Sequence, residues 1–126
     1  MMSKSELLNT AKEWVDLCYL PEDSSERTNK FWAYTMLCDL CHDEPEQCWE
    51  AIHIIRQIDG SDIVLSNLAA SLMEDLLNYH GASFIDRIEK IARTDQEFSK
   101  LLGAVWQRDI PDYIWARVKT VAAQPW

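Results

Sequence analysis

Apolar residues recur along this chain at intervals of three and four from the first turn to the last, and no stretch alternates apolar with polar residues as a half-buried strand does. The pattern predicts seven helices. The first opens at Ser3, with Glu6 three residues on as a capping box, and carries Leu7, Leu8, Ala11, Trp14, Val15 and Cys18 on one stripe. Pro21 ends it. The polar run from Glu22 to Arg27 leads into a second helix with Phe31, Tyr34, Leu37, Cys38 and Cys41 inward. Asp43 is placed to cap a third, which has Pro45 in its first turn and Trp49, Ile52, Ile55 and Ile58 on its core face.

After the turn signal Asp59-Gly60 a fourth helix runs through Leu65, Leu68, Leu72, Met73, Leu76 and Leu77, with Ser71 marking a break and Gly81 as a left-handed stop. Ser83 with Asp86 starts a fifth helix, carrying Phe84, Ile85, Ile88, Ile91 and Ala92. Thr94 with Glu97 makes a capping box for a sixth, carrying Phe98, Leu101, Leu102 and Val105. A seventh follows Asp109 and Pro111 and presents Ile114, Trp115, Val118 and Val121. Connections this short imply neighbouring helices packed antiparallel. The expected fold is therefore all-α, a single domain over residues 1–126 built as an antiparallel bundle or a short stack of helical hairpins.

Composition agrees with that picture and narrows the class. Of 126 residues 48% are apolar, six are Trp, and only three Gly and four Pro interrupt the chain, which suits a packed core and not a disordered segment. No apolar run approaches the ~18 residues of a membrane helix, and the N-terminus lacks the apolar stretch of a signal peptide. The expectation is a cytoplasmic protein whose four Cys are free thiols.

Charge changes the functional expectation more than composition does. Twelve Lys and Arg against 21 Asp and Glu leave a net of −9, which repels nucleic acid and anionic membranes. Residues 1–60 hold 5 basic and 12 acidic groups, or −7; residues 61–126 hold 7 and 9, or −2. The acidic half serves either as solvated surface or as a docking face for a basic partner. The docking face would comprise Glu22, Asp23 and Glu26 before the second helix, with Asp43, Glu44, Glu46 and Glu50 around the start of the third.

Candidate chemistry is sparse. Cys38-Asp39-Leu40-Cys41-His42 spells the attachment pattern of a c-type haem, and adding Cys48 makes a four-donor zinc set. Both spellings fall on helical core stripes, where cysteines serve as small hydrophobes, so neither a metal nor another cofactor is expected. Glu74, Asp75, His80 and Asp86 are the one acid-base cluster, in which a His between carboxylates could serve as a general base of a small hydrolase. Helical spacing points Glu74 and Asp75 away from His80, which reads better as a helix-terminal cap, so no catalytic residue is assigned. Trp14, Trp49 and Trp115 fall on core stripes, Trp32 beside Phe31 fits either core or surface, Trp106 closes the sixth helix, and Trp126 alone is expected at the surface.

Several words in the C-terminal part carry a resemblance: Trp49-Glu-Ala-Ile52, Leu68-Ala-Ala70, Leu72-Met-Glu-Asp-Leu-Leu77, His80-Gly81, Phe84-Ile-Asp-Arg-Ile-Glu89, Leu101-Leu-Gly-Ala-Val-Trp106 and Trp115-Ala-Arg-Val118. From about residue 49 to 126 the chain resembles an uncharacterised bacterial family of small helical proteins, a domain of unknown function. The resemblance implies an all-α fold and a bacterial origin, and no activity. Where members often carry Gly-Pro, this chain has Ala70-Ser71, which speaks against a sharp break there. Small size, acidity and the lack of a catalytic motif are similar, by analogy, to the immunity partners of bacterial toxins. The leading expectation is thus an immunity or antitoxin-like protein that occludes a cognate toxin with a basic surface. The alternative is a structural adaptor or homodimer.

Overall fold

Ser3 starts the first helix as its sequence predicts. Its hydroxyl accepts from the Glu6 N–H while its own N–H donates to the Glu6 carboxylate, both at 3.2 Å, and these bonds hold the Glu6 carboxyl below its usual range. The computed structural model describes residues 1–126 as helices joined by short turns, with no strand. In chain order they are α1 (Lys4–Leu17), α2 (Ser25–Lys30), α3 (Trp32–Asp43), α4 (Pro45–Ile58), α5 (Asp62–Leu68), a π-helical turn (Ala69–Met73), α6 (Glu74–Ala92), α7 (Gln96–Gly103) and α8 (Asp112–Val121). Because α2 runs into α3 at Phe31 and α5 into α6 through the π turn, the segments make six rods.

The rod missing from the expected seven is lost at Gly81. Its φ is negative, and it lies inside α6 where a left-handed stop was expected, so Ser83 and Asp86 start no helix. Gly81 is used for closeness: a Cβ there would come within 3.2 Å of Ile114, so its absence lets α8 pack tightly on α6. The local irregularity falls one residue earlier, at His80 (φ −137°, ψ 20°), where α6 kinks and the ring Nε2 meets the His42 carbonyl oxygen at 3.1 Å. His80 is therefore a mid-rod kink and not a terminal cap.

Two other caps differ from expectation. Asp43 ends α3 instead of starting α4, although Pro45 does take the first position of α4. Asp95, not Thr94, caps α7 by accepting from the Phe98 N–H at 3.0 Å. Arg56 draws the Glu97 side chain aside at 2.9 Å, so Glu97 cannot close the box. At Ser71 the chain makes a π turn without breaking, and the Ser71 hydroxyl donates to the Asn67 carbonyl at 2.7 Å.

One contiguous apolar core runs from Leu7 to Val118. In it α1 packs on α3 and α4, α3 on α4 and α6, and α6 on α8. Cys41 and Cys48 lie side by side inside it, Sγ to Sγ 2.6 Å, and are free thiols. Trp14 is buried, and Trp49 and Trp115 pack half-buried against the core. Three tryptophans reach the surface: Trp126 as expected, Trp32, whose place the sequence leaves open, and Trp106, which is the most exposed at 75%. No helix is long and apolar enough to cross a membrane.

Candidate functional site

The helix α3 carries three kinds of position, and its sequence sorts them by angle. Ala33, Leu37, Leu40 and Cys41 point into the core. Phe31, just before the helix, with Tyr34 and Cys38 forms a flank that was read as core stripe but lies half-open, with the Phe31 and Tyr34 rings stacked 5.1 Å apart. Trp32, Met36, Asp39 and Asp43, spaced i, i+4, i+7, i+11, fall within one narrow sector facing solvent. Trp32 is 44% and Met36 40% exposed.

In chain order the expected docking carboxylates fall before this stripe or from its last residue, Asp43, onward. Glu22, Asp23 and Glu26 lie exposed ahead of α3, Glu26 in the first turn of α2. At the far end of α3, about 18 Å along it, Asp43 is exposed; Glu44 is half-buried between α3 and α4, and Glu50 of α4 is exposed. Six of the seven form no ion pair. Glu46 is the exception, gripped by both guanidinium nitrogens of Arg87 at 2.6 and 2.8 Å, which holds its carboxyl below the usual range. Its charge is spent inside the fold.

Fold stability does not account for the acids on α3. Asp43 occupies the last turn, where the helix dipole disfavours negative charge. Asp39, one turn earlier on the same stripe, repels it. The inward stripe of this helix leaves Asp39 and Met36 unassigned and Trp32 ambiguous; the i, i+4, i+7, i+11 spacing of the outward stripe is the signal that joins them to Asp43.

The acid-base cluster does not come together. Glu74 is buried and accepts from the Trp106 backbone N–H at 3.1 Å and from Arg108 at 3.4 Å, thereby anchoring the loop before α8 in which Arg108 takes a left-handed φ of 46°. Asp75, its carboxyl raised by burial, lies beside Glu74 in α6; His80 faces the His42 carbonyl; and Asp86 pairs with Arg117 at 2.6 Å. The Cys-His spelling is divided likewise. Cys41 turns inward to Cys48, while the His42 ring lies outside against Tyr79, centroids 3.8 Å apart. No group of three or more His, Cys, Asp or Glu is arranged to hold a metal ion.

Residues 21–126 match a family described as "Family of unknown function (DUF6869)". The chain belongs to this family. The match begins well before residue 49, where the resemblance was first legible, so the DUF6869 region takes in α2, α3 and the whole acidic stripe, and leaves out α1. No curated protein and no solved structure matches the chain.

Proposed function

We propose that this chain is a binding protein that docks a basic protein domain on the outer face of α3, and that the partner is a toxin it neutralises by occlusion in the bacterial cytoplasm. The observation that carries this reading is one stripe joining two exposed apolar side chains, Trp32 and Met36, to Asp39 and Asp43, with unpaired carboxylates before and after it in the chain. Protein interfaces concentrate binding energy in a few central anchors, Trp among the commonest, inside a polar rim. Charges free of internal partners set the encounter rate and the choice of partner. With a net of −9 the complementary surface is basic, the kind that a nucleic-acid- or nucleotide-directed toxin presents, and occluding it would remove its grip on substrate.

The test uses the purified product of the adjacent reading frame. Isothermal titration over a range of salt should give a dissociation constant that rises at least tenfold in the double variant Asp39→Lys/Asp43→Lys, with a flatter salt dependence, and likewise rises in Trp32→Ala. Co-expressed wild-type chain should restore growth where the double variant does not. Binding that neither variant changes would sink the proposal. A dimer in sedimentation that Trp106→Ala returns to monomer would favour the adaptor reading instead.

A further inference from the structure

On the opposite flank of α3 from the acidic stripe a groove of about 340 Å³ opens between α1, the α2–α3 junction and the π turn. That volume lies in the range of small-ligand sites, roughly 300–1,000 Å³. Trp14 and Leu17 of α1 line one side, the stacked Phe31 and Tyr34 the other, and Ala70 with Ser71 of the π turn the end. Two lining residues carry polar groups outside the chain's own hydrogen bonds and ion pairs. The indole N–H of Trp14 is buried and donates to nothing in the chain, although buried donors are almost always paired. Arg27, held with its guanidinium 5.7 Å from the Phe31 ring centroid, forms no ion pair although acids outnumber bases by nine. No carboxylate lines the groove.

The geometry points to a small-molecule site that takes an aromatic carboxylate, with its ring against Phe31, Tyr34 and the Trp14 side chain and its carboxylate on Arg27. Aromatic walls favour a flat ring through offset stacking and burial. A guanidinium fixed at the mouth recognises a planar anion by paired hydrogen bonds. Ala70 and Ser71 of the π turn lie in the groove wall, and such turns recur at functional sites. The thiol of Cys18 in the same wall is pushed up to about 11 by burial, in keeping with an apolar interior. This site lies apart from the acidic stripe and does not rest on the toxin-binding reading.

The experiment is an amide- and indole-detected NMR titration of the whole chain with two probes, phenylacetate and indole-3-acetate, and with the neutral amide of each. The Trp14 indole resonance is assigned from its loss in Trp14→Phe. The expected result is a saturable shift of that resonance with at least one acid, weakened tenfold or more for the matching amide and in Arg27→Gln. Because Ala70 is exposed, Ala70→Phe should fill the groove without disturbing the core and abolish the shift. No Trp14 shift with either acid at millimolar concentration would overturn the proposal. So would equal binding of acid and amide, or a shift unchanged in Ala70→Phe.

Discussion

The two halves of the chain hold similar numbers of carboxylates and treat them in opposite ways. Of the nine in residues 61–126, six are in ion pairs: Asp62 with Lys100, Glu74 with Arg108, Asp86 and Glu89 with Arg117, and Asp95 and Glu97 with Arg56. Of the twelve in residues 1–60 only three are, Glu13 and Asp16 with Lys30 and Glu46 with Arg87. Two of those six cations, Arg56 and Arg87, reach across from one half to the acids of the other. The C-terminal acids are absorbed into the fold, whereas those around α3 are left to water or to another molecule. Net charge alone hides this, because it counts paired and free groups alike.

The join between the halves should be the most sensitive place to break this comparison. Phe98 of α7 is fully buried against Trp49 and His53 of α4, and the Arg56 guanidinium lies 5.2 Å from its ring centroid while binding Asp95 and Glu97. Phe98→Ala should cost about 3–5 kcal/mol in denaturant unfolding. Much of that loss is the cavity, and part is the slackening of Arg56 on its acids. A loss under about 1 kcal/mol would mean that α7 is not bolted to α4 in this way.

A smaller and pH-dependent effect sits at the same join. The His53 Nδ1 meets the Arg56 guanidinium at 3.0 Å, so Nδ1 accepts and the buried Nε2 carries the proton with no partner. Burial first, and then the Arg56 charge, pushes His53 down to about 4. The unfolded chain binds a proton near pH 6.5, whereas the folded chain resists until about pH 4. Neutral His53 therefore contributes nothing to the pH dependence above 6.5, and stability is lost as pH falls from 6.5 towards 4. Melting temperature should drop across that window in the wild type and drop less in His53→Phe. Equal slopes would show that His53 titrates normally.

Local rules were legible where a single neighbour decides the outcome. The Ser3–Glu6 box and the position of Pro45 needed only residues within one turn, and the buried faces of the helices needed only periodicity. Three features depended on distant partners and were misread. Gly81 spells a stop, but Ile114, 33 positions later, makes it a packing contact. Glu97 spells a cap, but Arg56 takes its carboxylate. Phe31, Tyr34 and Cys38 spell a core stripe, but whether a stripe is covered depends on its neighbours, and here the groove stays open beside them. Of the acids on the α3 stripe, charge picks out Asp43 and not Asp39, and the apolar anchors stay unassigned because an outward Trp and Met look like core residues until the helix is oriented.

The smallest expected effect separates function from folding most cleanly. If the free acids of α3 served the fold, removing them would destabilise it; if they serve a partner, the fold should be indifferent or better off. Asp39→Lys turns an i, i+4 repulsion with Asp43 into an attraction, and Asp43→Lys places a cation in the last turn of α3, where the helix dipole favours one. Each change should leave the melting temperature within about 2–3 °C of the wild type or above it. Thermal unfolding by circular dichroism checks this, and a clear fall for both variants would place these carboxylates with the structural acids of the C-terminal half. A rise joined to weaker partner binding would mean that the chain keeps two unfavourable charges on α3 at the expense of its own stability, the trade expected of a recognition surface.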